Sequence, residues 1–442
     1  MAIEVPVKRK HKIFPGWWTV LTGGILSLWG FGFQAYGFSA FLKPLAADLG
    51  LSRAVTSGVS SLSRLEGGLE APLAGWLADK YGSRGICFIG VFIAGLGFSL
   101  MYFVHSMVSF YLVWGVIVAI GFNLGLSVPV DAAIAKWFVK KRGTALSIRN
   151  VLSGLSGVLT LPLVTWLLSQ YGWRVTLVIG GIGMWLLLPL TWFLIKPHRP
   201  EYYGLLPDGA ERDIGGTADI TATINAGVKY AAEVNEVEFT LRQAFKTSAL
   251  WIIIFANSMH GMVQPAVSLH GIPLLTDMGV SPMVASGAMS LMVFMSIPGR
   301  FIGGVVADRA PIGYLRYILA ISYSVQCIGL LIFLKWQTLP TAYIFFILYG
   351  IGMGAGMAIN APLRGRYYGR KGFATIGGAM SLLNTPVGII APVYVGWTYD
   401  ATGSYIKALL ILTALLATAI IAICFAKPPK PPAEVGDITK FL

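Results

Sequence analysis

Charge is scarce in this chain. Only 12% of its 442 residues are charged, against 56% hydrophobic, and a soluble protein of this length would need roughly 25% to coat its surface. Acid is scarcer than base, with 19 Asp and Glu against 33 Lys and Arg. Cysteine is nearly absent. Cys87, Cys327 and Cys424 all fall inside apolar runs, which excludes a disulfide framework or a metal-binding Cys spacing. No cluster of His, Asp, Cys or Ser forms a catalytic or metal constellation, so neither an enzyme nor a metal or cofactor is expected.

What the chain has is apolar length. Segments 15–42, 54–77, 85–104, 109–135, 143–169, 173–195, 248–273, 283–307, 314–334, 341–363, 373–398 and 405–426 are each long enough to cross a hydrocarbon core of ~30 Å. The first run is too long for a signal peptide and lacks a cleavage site, so it reads as a retained span. The 53 Gly and 23 Pro fit membrane helices, where neighbours re-satisfy freed backbone groups. The expectation is an all-α membrane protein of twelve transmembrane helices.

The net charge of +14 describes topology. With Lys8, Arg9 and Lys10 inside, alternate loops put 25 of the 33 basic residues on the cytoplasmic face, three within spans, and only Lys43, Arg53, Arg174, Lys335 and Lys407 outside. Both termini are therefore expected in the cytoplasm, in a cell (inner) membrane. Nucleic acid is not an expected partner, because no basic cluster sits on a soluble module. Residues 1–195 hold six spans, 196–247 form a polar central loop, 248–426 hold six more, and 427–442 are a cytoplasmic tail. Within the loop, FTLRQAFKT at 239–247 has the spacing of a surface helix.

An internal repeat runs at a constant offset of 229 residues. DLGLSRAVTSG at 48–58 aligns with DMGVSPMVASG at 277–287, GWLADK at 75–80 with GVVADR at 304–309, and GFNLG at 121–125 with GIGMG at 350–354. Parallel six-helix repeats are what alternating-access carriers rock about a midplane site.

These segments resemble the major facilitator superfamily. GWLADKYGSR at 75–84 is similar to its loop between helices 2 and 3, with a degenerate copy in GVVADR. The resemblance implies two pseudo-symmetric six-helix bundles and a cytoplasmic gate, with Asp79 capping or pairing at neighbouring helix ends, Arg84 and Lys80 anchored nearby, and Asp308 at the equivalent place. WFVKKRGTALSIRNVLSG at 137–154, a lone Arg in SIPGRFIGG and RPEYYGLLPDG at 199–209 resemble monocarboxylate transporters and the oxalate–formate antiporter group.

Arg300 stands eight residues before Asp308, or ~12 Å inside the membrane end of its helix. A guanidinium there needs a partner or a watery cavity, and its fork of donors suits a carboxylate. The related carriers place an Asp one turn earlier, where this chain has Ser296, so their proton acceptor is missing. Glu66 and Glu70 share a face of span 2. Glu66 is a candidate for proton coupling, and Glu70, Arg149 and Asp131 read as one cytoplasmic charge network. His260, in a seventh span that Gly261, Pro265, Gly271 and Pro273 would break, is a second coupling candidate and a substrate ligand. Asn123, Asn384, Tyr36 and Tyr349 fall at the same depth and are expected to line a cavity, with Gln34 nearer the outside.

The expected function is proton-coupled secondary transport of small organic monocarboxylates resembling lactate or pyruvate. The alternative is an oxalate–formate type anion exchanger, which typically has a second basic residue in helix 11, where this chain has none. Expected partners are a small organic anion, a proton or counter-anion and the lipid bilayer, with the monomer as the working unit.

Overall fold

A computed structural model describes residues 13–50, 53–210, 223, 224, 226, 227, 230 and 238–430. Part of the central loop and both ends of the chain lie outside the described residues. The elements are α1 (16–48), α2 (Arg53–Tyr81), α3 (Ser83–Leu100), α4 (107–137), α5 (142–171), α6 (173–194), α7 (Ser248–Asp277), α8 (Pro282–Arg309), α9 (Leu315–Trp336), α10 (Leu339–Tyr368), α11 (Phe373–Thr402) and α12 (Ile406–Cys424). Among the described residues there is no strand, and nine segments are both long and apolar enough to cross a membrane. α1 and α2 are not among these nine, α2 falling short because of its own charged and small residues, and one segment, Pro162–Leu194, joins the end of α5 to α6.

The repeat is visible in the backbone. Gly50 and Gly279, 229 apart, both take positive φ (62° and 83°), which glycine adopts without a Cβ penalty. Gly172 (φ 73°) separates α5 from α6 in the same way. Each half builds its own core. Phe33, Phe98, Trp114 and Phe122 pack in the first, and Tyr323, Phe345, Phe346 and Tyr349 in the second. α2 runs along α11, and α5 along α8, forming two seams between the halves.

Two expectations change here. α7 stays helical from Ser248 to Asp277 through both Pro265 and Pro273; it is unbroken because neighbouring helices can absorb a proline's lost hydrogen bond. The wider turns occur elsewhere, as π-helical segments at Gly32–Tyr36 in α1 and Val113–Val118 in α4. The segment before α7 forms only a short helix, Leu241–Phe245, closed by a capping box between Thr240 and Gln243.

Candidate functional site

A cavity of about 580 Å³ lies between the halves, within the usual size of a small-molecule site. Its walls come from α1, α2, α4 and α11, and both π-helical segments face it, through Gln34 and Trp114. Gln34 is thus cavity lining. Asn384 gives its carbonyl to the Ser258 hydroxyl at 2.7 Å, which leaves its amide N–H groups for the cavity. Asn123 donates to Glu66 Oε2 at 3.2 Å and keeps its carbonyl as an acceptor.

Beyond the cavity the halves close on each other at the end rich in Lys and Arg. Asp79, at the end of α2, accepts from the Thr375 N–H (2.9 Å) and hydroxyl (2.8 Å) in the first turn of α11. Asp308, at the end of α8, accepts from the N–H groups of Gly143 and Thr144 in the first turn of α5, both at 2.6 Å. Each carboxylate caps a helix of the other half, using the orphan N–H groups and positive partial charge found at a helix start. The glycines that open the two repeat motifs permit this closeness. A Cβ on Gly75 would overlap the Ala374 carbonyl oxygen, and one on Gly304 would overlap the Ser147 hydroxyl.

The stretch after α6 finishes the closure. Glu201 and Arg370 form a 3.0 Å ion pair with both side chains almost wholly buried. Asp208 accepts from three successive N–H groups, Val139 (3.2 Å), Lys140 (2.8 Å) and Lys141 (3.0 Å). Arg84 donates to the Ile195 carbonyl at 3.0 Å and lies over Trp192.

Two bundles, a repeat offset conserved in backbone geometry and reciprocal caps at one end match a known architecture. The sequence profile of the Major Facilitator Superfamily covers residues 24–392, with a second match over 278–440. The chain belongs to the major facilitator superfamily. This facilitator is 26% identical over 349 residues to monocarboxylate transporter 12 of Xenopus laevis, covering 78% of this chain and 74% of that one. It is 25% identical to monocarboxylate transporter 13 of Rattus norvegicus, covering 91% and 86%. Its fold matches the crystal structure of the transporter FucP in the outward conformation with a TM-score of 0.63 at 15% identity, covering 93% and 99%.

Within the facilitator, Arg300 lies on the α5–α8 seam, 7% exposed, and its Nη1 donates to the Asn150 carbonyl of the other half at 2.7 Å. It is not among the residues that line the cavity. His260 turns away toward α9, with Nε2 3.0 Å from Gln326 Oε1 and its ring stacked on Tyr323 at 4.2 Å. Tyr349 does not line the cavity. It is fully buried in the aromatic core of the second half, against Phe345, with its hydroxyl unpartnered. Tyr36 lies in the π segment of α1, but its side chain is outside the described residues.

The proposed charge network divides in two. Arg149 pairs with Asp131 at 3.2 Å and also donates to the Leu126 carbonyl. That carbonyl is available because α4 breaks at Ser127, where the Val130 N–H turns to the Ser127 carbonyl instead (3.1 Å). Glu70 is not part of this pair. Its carboxyl faces Glu66 and Asn123, because the face it shares with Glu66 is turned to α4 at Asn123. One Glu70 oxygen, Oε2, is buried without a partner.

Removing Arg149 alone (Arg149→Gln) strands both Asp131 and the Leu126 carbonyl. The expected loss is on the order of 1–3 kcal/mol, of which Asp131→Asn in the same chain should restore about 1 kcal/mol. Thermal unfolding of the purified single and double variants measures this, and simple additivity would dissolve the pair.

Proposed function

We propose that this facilitator carries small organic monocarboxylates, of lactate or pyruvate type, together with protons, by alternating access across a cell (inner) membrane with its basic end in the cytoplasm. Arg300 is the observation that supports the reading. It is a guanidinium nine residues from the end of α8, or ~13 Å deep, and its described hydrogen bond crosses from one half to the other. Rocking the halves apart along the seam breaks the bond to the Asn150 carbonyl, and a carboxylate is the stronger replacement, since charge-assisted bonds are roughly twice as strong as neutral ones. The free amide N–H groups of Asn384 and the Asn123 carbonyl suit the rest of a hydroxy or keto acid. The names of the relatives, monocarboxylate transporters 12 and 13, point the same way.

The carboxyl pair of Glu66 and Glu70 supports proton coupling. Two carboxyls one turn apart on the same face of α2 repel when both are ionised, which favours a single proton held by the pair. Asn123 joins that pair to the cavity. Protonation of Glu66 can therefore follow the filling of the site through a single side chain.

Purified protein in proteoliposomes should take up labelled lactate or pyruvate, and an inward proton gradient should raise the steady-state accumulation about tenfold per pH unit if one proton accompanies each anion. Uptake that ignores the gradient but requires internal oxalate or formate would establish an anion exchanger instead. Absence of any monocarboxylate uptake would refute the reading.

A further inference from the structure

α10 carries a cation that nothing above employs. Arg364 stands four residues before the last residue of α10, or ~6 Å inside the basic end. Its guanidinium lies 4.1 Å from the centre of the Phe373 ring. Phe373, the first residue of α11, is fully buried in a small cluster with Ala78 of α2 and Ala132 and Ala135 of α4. That ring is an apolar plug made by both halves, between the cavity and the basic end. Arg142, at the start of α5, reaches the same ring at 5.9 Å.

The acids of this layer, Asp79 and Asp131, act on Arg364 through charge alone and make their bonds elsewhere. Asp79 is held by Thr375 and Lys136, and Asp131 by Arg149. No hydrogen bond or ion pair to Arg364 occurs among the described contacts, and its Nε is buried without a partner. A guanidinium offers five donors in a planar fork, and a cation kept from bulk water at a membrane protein's interior marks an ion path more often than a structural need. Two like charges beside one ring also repel. An anion between them would relieve both costs.

We propose that Arg364 is a second anion-binding station, which receives the substrate carboxylate between the cavity and the basic end. The station rests on the monocarboxylate reading given above. In the closed arrangement Phe373 covers the guanidinium; when α2 and α11 part, the contacts of Phe373 with Ala78, Ala132 and Ala135 are lost and the fork meets the path of the leaving anion. Its depth of ~6 Å against ~13 Å for Arg300 makes it the shallower of the two stations, as stepwise release requires.

The test uses inside-out membrane vesicles, which present the basic end to labelled lactate. Arg364→Gln should raise the half-saturating concentration about tenfold or more, and Arg364→Lys, which keeps the charge but loses the fork, about threefold. Melting temperatures establish that each variant is folded. A folded Arg364→Gln protein, or an Arg364→Lys protein if the first does not accumulate, with half-saturation equal to that of the parent overturns the station and leaves the monocarboxylate reading standing. A folded parent protein that takes up no lactate or pyruvate overturns both.

Discussion

Arg300→Ala is expected to abolish carboxylate binding, and Arg300→Lys to weaken it while preserving the fold. The lost group is one charge-assisted pair, on the order of 1.5–3 kcal/mol, or roughly 10- to 150-fold in affinity. Its burial at 7% exposure and its bond to the Asn150 carbonyl mean that Ala also leaves a space in the α5–α8 seam, so melting temperature must be read beside affinity. Lys retains the charge but cannot present two parallel N–H groups. The amide of the same acid should bind the parent protein poorly and be insensitive to either change. An Arg300→Ala carrier that folds and still transports lactate with parental affinity would remove Arg300 from the site.

Gly75→Leu is expected to drive the basic end open. The added side chain meets the backbone carbonyl of Ala374, which cannot move aside as a flexible side chain would. Overpacking of this kind costs about 1–3 kcal/mol, enough to displace a two-state equilibrium by roughly 5- to 150-fold. Gly304→Leu should act alike at the α5–α8 seam, through Ser147. A reporter cysteine at Ala135, a position wholly buried in the closed form, would then react with a membrane-impermeant maleimide at least tenfold faster from the basic end. The native Cys87 and Cys327 are buried, and the half-buried Cys424 at the end of α12 is first replaced by serine to remove background. Equal reactivity in parent and variant would show that the two glycines do not hold the closed form.

The overall plan was legible because it depends on spacing. A 229-residue offset and a period of apolar runs survive any detail of packing, and Gly50 with Gly279, or Asp79 with Asp308, follow from it. Side-chain partners were less legible. Depth placed Glu70 level with Arg149, but helix rotation decides contact, and the rotation of α2 turned both glutamates toward Asn123. Tyr349 has the right depth and the wrong face. Arg364 carries no signal in the sequence because the hydropathy of span 10 falls at 363, whereas the helix runs on to Tyr368; apolar composition marks where lipid contact ends, and backbone hydrogen bonding continues past it. The openings at Gly32–Tyr36 and Val113–Val118 have no composition signal, since a π turn needs one residue more than its α-helical neighbour and no special residue type.

The exchange of caps between Asp79 and Asp308 also bears on how the two halves depend on each other. A first half alone would hold Asp79 facing water, while the first turn of α5 would have lost the carboxylate that closes it; the second half would be incomplete in the mirror sense at α11. Each bundle is therefore finished by one residue it does not encode. A substitution at either aspartate therefore loosens the opposite bundle before its own.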